Sequence, residues 1–152
     1  MHVIRTALVI VVAALAATSC SSTGPKTADQ VMADITAQVP TAKMGVVYTP
    51  DNDPNHLLGR PNGYTSKVSF TDSRVDPKLL QGQRPDAIDA GGSIEVYPDA
   101  EGAQLRQQYI QGLQKAAPIF GTEYSYLDGP VLVRVSGKLN PTQAAEYEVA
   151  LG

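Results

Sequence analysis

The sequence predicts a single α+β domain: an antiparallel-rich sheet of about four to five strands with helices packed on one face. Three observations carry that prediction. Apolar residues alternate with period two around Val68, at Ser93–Tyr97 and at Val131–Val135. Apolar residues recur at helical spacing in three other segments, each with start or stop signals. Asp128-Gly129, set between two alternating runs, marks a hairpin.

The elements follow in order. Thr27-Ala-Asp-Gln30 has the form of a capping box, and Val31, Ile35 and Val39, widened by Ala28 and Met32, form a helical stripe that Pro40 stops. Gly45–Thr49 reads as a short strand, and residues 50–63 as a long turn-rich loop holding Pro50, Pro54, Pro61 and Asn62-Gly63. In the next strand Tyr64, Val68 and Phe70 face one way and Thr65, Lys67, Ser69 and Thr71 the other. Asp76–Gly92 is an irregular connection with a short turn at Lys78–Leu80, leading into a strand at Ser93–Tyr97. Asp99 caps a second helix whose apolar stripe is Leu105, Tyr109, Ile110, Leu113 and Ala117, ended by Pro118. Tyr124 and Tyr126 share one strand face, and Val131, Val133 and Val135 line the return strand. Asn140-Pro141 then opens a third helix edged by Ala144, Tyr147 and Leu151.

Assembled, the second half has the split βαβ arrangement of ferredoxin-like folds: the Val131–Val135 strand fills the gap between Ser93–Tyr97 and Glu123–Leu127. The Val68 strand then pairs on the far side of Ile94–Val96.

The N-terminus carries an address. Arg5 is a short cationic start, Ala7–Ala17 is unbroken apolar sequence, and Ala17-Thr18-Ser19 is a small-residue exit before Cys20, the only cysteine. This is the layout of a secretory signal, too short for a permanent membrane span. It resembles a bacterial lipoprotein signal, except that Ala17 stands where the usual lipobox has Leu. Residues 1–19 are read as the cleaved signal, residues 20–26 as a lipid-anchored flexible tether and residues 27–152 as the folded domain. On that reading Cys20 becomes the first mature residue and carries acyl chains such as palmitate. Two or three chains at about 0.8 kcal/mol per buried methylene hold a protein firmly. The alternative is an ordinary signal with a chance cysteine, which leaves a lone exported thiol without a role. Ser21–Lys26 spans only about 20 Å even fully extended, so the domain rides close to its membrane.

Composition narrows the function classes. The whole chain has net charge −3, and −4 once Arg5 is removed, with no basic stretch to bind nucleic acid or anionic head groups. His56 is the one histidine beyond the signal, and it lies in a proline-rich loop. A Ser-His-Asp arrangement and a zinc site both lack members, and no phosphate-cradling glycine motif is present. No cofactor and no metal is assigned.

Two candidate sites remain. Asp51, Asp53 and Asn55 match the first ligand spacings of a calcium loop, but His56 replaces the sharp-turn Gly and Asn62 the bidentate Glu. The competing reading is that they cap and turn the loop through local hydrogen bonds. Arg60 and Tyr64 complete a polar ligand loop if they share a hollow with Asp51 and Asp53. The second candidate is the outward sheet face, which collects Leu132, Arg134, Glu123, Ser125, Leu127, Glu95, Tyr97, Lys67 and Ser69. It either receives a partner or is covered by the first helix, with Arg134 paired to a neighbouring carboxylate.

The stretches Asp51-Asn-Asp-Pro-Asn-His-Leu-Leu-Gly-Arg-Pro-Asn-Gly-Tyr-Thr-Ser-Lys67 and Val131-Leu-Val-Arg-Val-Ser-Gly-Lys-Leu139 resemble a family of small uncharacterised actinobacterial lipoproteins. The resemblance spans nearly the whole mature chain. It implies the anchor but neither an activity nor binding residues. The expectation is a non-catalytic binding or interaction module, lipid-anchored on the extracytoplasmic face of the cell membrane, whose partner is an unknown protein or small-molecule ligand. The alternatives are a cation- or polar-ligand-binding lipoprotein using the Asp51–Tyr64 loop, and a small carboxylate-based hydrolase.

Overall fold

The computed structural model describes residues 24–152. The predicted signal at 1–19, Cys20 and the start of the tether lie outside the described residues. Three helices and one five-stranded antiparallel sheet form a single α+β domain, as the patterning predicts.

Helix α1 (Ala28–Gln38) begins where the capping box places it, with Gln30 Oε1 accepting from the Thr27 backbone N–H at 3.0 Å. Strand β1 (Ala42–Val47) starts earlier than Gly45 and forms one edge of the sheet. Strand β2 (Ser66–Asp72) follows the long loop, and short 3-10 turns at Pro77–Leu80 and Ile88–Ala90 punctuate the connection to β3 (Gly91–Val96). Helix α2 (Ala100–Ala116) is capped by Asp99, whose carboxylate accepts from the Gly102 N–H at 2.8 Å. Strands β4 (Glu123–Asp128) and β5 (Val131–Ser136) form the hairpin, its two-residue loop Gly129-Pro130 set by a φ of +51° at Gly129. Helix α3 (Pro141–Leu151) closes the described chain, capped by Asn140.

The strand order is β1-β2-β3-β5-β4, every neighbouring pair antiparallel. Strand β5 lies between β3 and β4 and α2 connects those two, so the predicted split βαβ unit is present, and β2 flanks β3 as expected.

The helices, however, do not share one face. α1 and α3 cover the side lined by Val68, Phe70, Ile94, Val96, Val133 and Val135, where Phe70 stacks on Tyr147 with ring centroids 5.2 Å apart. α2 lies on the opposite side, its Ala103 and Ile110 packed with Leu132, Tyr97 and Tyr64. The predicted stripe of α2 also points elsewhere. Leu105, Tyr109 and Leu113 are exposed, while the sheet-facing side carries Ala103, Ile110 and the half-buried Arg106 and Gln107. The physical reason is the surface beneath. That face of the sheet carries Glu95, Arg134 and Ser125, so α2 turns hydrogen-bonding side chains toward it: Arg106 reaches Glu95, and Gln107 Nε2 donates to the Ser125 carbonyl at 2.9 Å.

Tyr64 is a further departure. It precedes β2, escapes the strand's alternation, and packs with Tyr97 on the α2 side rather than with Val68 and Phe70. Among the described residues, no helix is long and apolar enough to cross a membrane.

Gly92 sits where β3 passes closest to its neighbours: a Cβ there would strike the Arg134 carbonyl oxygen and the Phe70 ring. Gly112 in α2 has open space around it. Gly92→Ala is therefore expected to destabilise by about 2 kcal/mol or more in chemical denaturation. Gly112→Ala should stabilise by about 0.5–1 kcal/mol. Equal effects would mean that the sheet is not packed as described.

Candidate functional site: a buried charge network and its clefts

On the α2 side of the sheet, alternation puts an ionisable side chain in the middle of each of three neighbouring strands. Lys67 comes from β2, Glu95 from β3 and Arg134 from β5. Lys67 and Glu95 are cross-strand partners and are buried, at 5% and 0% exposure. Charges this deep persist only when paired and hydrogen-bonded.

The loop between β1 and β2 supplies the pairing for Lys67. Asp53, 1% exposed, points inward and accepts from Lys67 Nζ at 3.0 Å and from the Tyr64 hydroxyl at 2.6 Å. It also accepts from the backbone N–H groups of Leu57 (2.8 Å), Leu58 (3.2 Å) and Asn55 (3.3 Å). Burial by itself would raise the Asp53 pKa. The hydrogen bonds from Tyr64, Leu57 and Lys67 outweigh it and hold the carboxyl well below the usual carboxylate range. Burial pulls the Lys67 ammonium below its ordinary value, against the opposing pull of Glu95 and Asp53. The ammonium also lies 4.6 Å from the Tyr48 ring centre and 5.1 Å from that of Tyr64.

Glu95 organises the other half. It accepts from Arg106 Nε of α2 at 3.3 Å, from Arg134 Nη1 at 3.2 Å and from the Tyr97 hydroxyl at 3.0 Å. Arg134 forms a bidentate pair with Glu123 on β4, both bonds 2.7 Å. Asn55 bridges the halves. Its amide oxygen faces Lys67 Nζ at 3.0 Å and Arg106 Nη2 at 3.3 Å, the orientation that avoids setting the amide nitrogen against donors. Three cations thus meet three carboxylates, and the network is neutral as a whole.

Two clefts lie on either side of Asn55. The larger, about 760 Å³, lies between the loop and α2 and is lined by Leu57, Tyr97, Leu105, Arg106 and Tyr109 among others. The smaller, about 450 Å³, lies on the other side of Asn55, between Tyr48, Lys67, Ser93 and Arg134 and the segment 82–88. That segment is tied to Tyr48, whose hydroxyl donates to Asp86 at 2.7 Å while Arg84 pairs with the same carboxylate. Burial together with the Asp86 bond pushes the Tyr48 pKa up to about 12. At the cleft floor, Ser93 is 1% exposed and its hydroxyl has no hydrogen-bond partner among the described residues.

Of the loop residues singled out in the sequence, the structure joins Asp53, Asn55 and Tyr64 in one cluster. Asp51 and Arg60 stay exposed and outside it. Every oxygen of Asp53 is already taken by protein donors, which matches the loop-turning reading. Among the described residues no group of three or more His, Cys, Asp or Glu side chains is arranged to hold a metal ion. The mixed composition of the sheet face, and the pairing of Arg134 with a carboxylate, are as the alternation implies. It is α2 and the loop that cover this face, however, and not α1. Arg106, Tyr48 and Ser93 were not singled out. Their signal was faint: Ser93 shares strand parity with Glu95, and Arg106 lies one helical turn beyond Gly102.

No family model, no curated protein and no solved structure matches this chain. The site is therefore defined by its own geometry.

Asp53→Asn leaves the Lys67 ammonium buried without its counter-charge, and is expected to cost about 3–5 kcal/mol at pH 7. Because the folded-state pKa of Asp53 is depressed, its contribution is complete above the unfolded value of about 3.9 and fades as pH falls through the folded one. The stability gap between native protein and variant should therefore narrow steadily below about pH 4 in denaturant titrations. A gap independent of pH would contradict the assignment.

Proposed function

We propose that this chain is a non-catalytic binding module, lipid-anchored through Cys20 on the extracytoplasmic face of the cell membrane. The observation that carries the binding reading is the 450 Å³ cleft, floored by buried polar groups of which Ser93 is left without a partner. Built clefts of this size with few convergent polar groups suit small ligands.

The anchor reading rests on the signal layout before Cys20 and on the short tether. Its geometry is coherent with a binding role. The N–H of Ala28, first residue of α1, bonds Ser66 Oγ at 2.8 Å, so the tether meets the sheet at the end formed by Ser66, Val96 and Val131. The floor of the cleft at Ser93 and Arg134 lies further along the sheet, toward the segment that leads into Gly91.

The non-catalytic reading is supported by how the charged groups are used. Asp53 and Glu95 are spent on fixing the loop and α2. The carboxyls of Asp53, Asp72 and Asp86 are each held below the ordinary range by their hydrogen-bond partners, the opposite of what a general acid at neutral pH needs. The cation-binding alternative has little support, since Asp53 is saturated and Asp51 stands apart.

Fractionation of cells expressing the full chain tests the anchor. The native protein should stay with salt-washed membranes, leave them only in detergent, and carry acyl mass on an N-terminal Cys20, whereas Cys20→Ala should appear in the soluble fraction. A Cys20→Ala protein that stays as firmly bound would overturn this reading.

A further inference from the structure

The smaller cleft has a definite chemical bias. Ser93 and Arg134 are direct cross-strand partners, so their side chains leave the sheet side by side on the α2 side. The guanidinium has five N–H donors, and three are engaged, two with Glu123 and one with Glu95. Two N–H groups and the Ser93 hydroxyl are left. The walls above them mix apolar surface from Tyr48, Pro54, Ala87 and Ile88 with the polar side chains of Gln83, Arg84 and Asp86. Leaving a buried hydroxyl unsatisfied is costly, so an unpaired Ser93 at the floor of an accessible cleft marks a place for a ligand atom.

We propose that this cleft binds a small organic acid, its carboxylate held by Ser93 Oγ and the two uncommitted N–H groups of Arg134, its apolar body lying against Ile88, Ala87 and Pro54. A hydroxyl and two N–H groups on paired residues of neighbouring strands suit a planar monoanion. A phosphate dianion asks for more donors and more uncompensated positive charge than a neutral network provides. Arg84 stands at the rim as an exposed cation beside Asp86 and does not change that balance at the floor. This inference deepens the binding-module reading and rests on it.

The test is a titration of the purified full chain with sodium benzoate, followed by amide chemical shifts, with sodium phosphate and benzyl alcohol at matched ionic strength as comparisons. Benzoate is expected to shift residues 87–94 saturably, and the two comparison compounds to leave them in place. Ser93→Ala removes a buried hydroxyl that has no protein partner, so it should melt no lower than the native chain while weakening benzoate about tenfold. Ala87→Trp, which fills the cleft without touching the donors, should abolish the shifts. The proposal is overturned if benzoate produces no saturable shift, if phosphate or benzyl alcohol acts as benzoate does, or if either variant binds benzoate as well as the native chain. The readout is on the domain itself, so such a failure would leave the Cys20 anchor standing, and a failed anchor would leave the cleft standing.

Discussion

The second layer of this protein depends on one buried carboxylate. The loop between β1 and β2 is long, rich in proline and turns, and has no regular structure with which to hold itself down. Asp53 gives it a fixed point. Its oxygens collect two backbone N–H groups from the next turn, the Tyr64 hydroxyl at the loop's end and the Lys67 ammonium rising from β2. The loop thereby folds around a charge whose own burial is tolerable only because those donors converge on it. Leu58 and Tyr64 are brought over the sheet by the same contacts and complete the smaller apolar cluster with Tyr97, Leu132 and Ile110.

The consequence for α2 is unusual. A helix over an apolar sheet face turns its greasy side inward, as α1 does here with Val31, Met32 and Ile35. α2 meets Glu95 and Arg134 instead, and orients so that Arg106 and Gln107 reach the sheet. Its apolar residues Leu105, Tyr109 and Leu113 are left toward solvent. The layer is held by charge-assisted bonds together with the apolar cluster of Tyr64, Tyr97, Ile110 and Leu132, and the clefts on either side of Asn55 are the spaces that such a partly polar layer leaves.

Much of the fold was legible in the residues. The Thr27 and Asn140 caps, the Asp128-Gly129 hairpin and the parity of Val131, Val133 and Val135 are local signals, and local signals survive tertiary context. The same parity put Lys67, Glu95 and Arg134 on one face. Three interior strand positions carrying ionisable groups were the strongest available hint of a site. What could not be read was which element covers that face. The stripe Leu105-Tyr109-Leu113 has helical period, and a periodicity rule assumes that the surface beneath is apolar. Tyr64 misled for a related reason: parity holds only within a strand, and β2 begins at Ser66. In the loop, Asp53 stood out by spacing while its real partner, Lys67, is fourteen residues away and becomes a neighbour only through the fold.

The proposed binding function draws on the same arrangement. The network engages its charges in holding the loop and α2 and leaves unengaged donors at Ser93 and Arg134. If the Asp53 cluster is what fastens the second layer, the Leu57 and Leu58 amides should behave unlike loop amides. Native-state hydrogen exchange, read residue by residue, measures this directly. The account predicts that both amides are protected nearly as strongly as those in the centre of β3. Exchange of Leu57 and Leu58 at the rate of the exposed amides elsewhere in the same loop would contradict it.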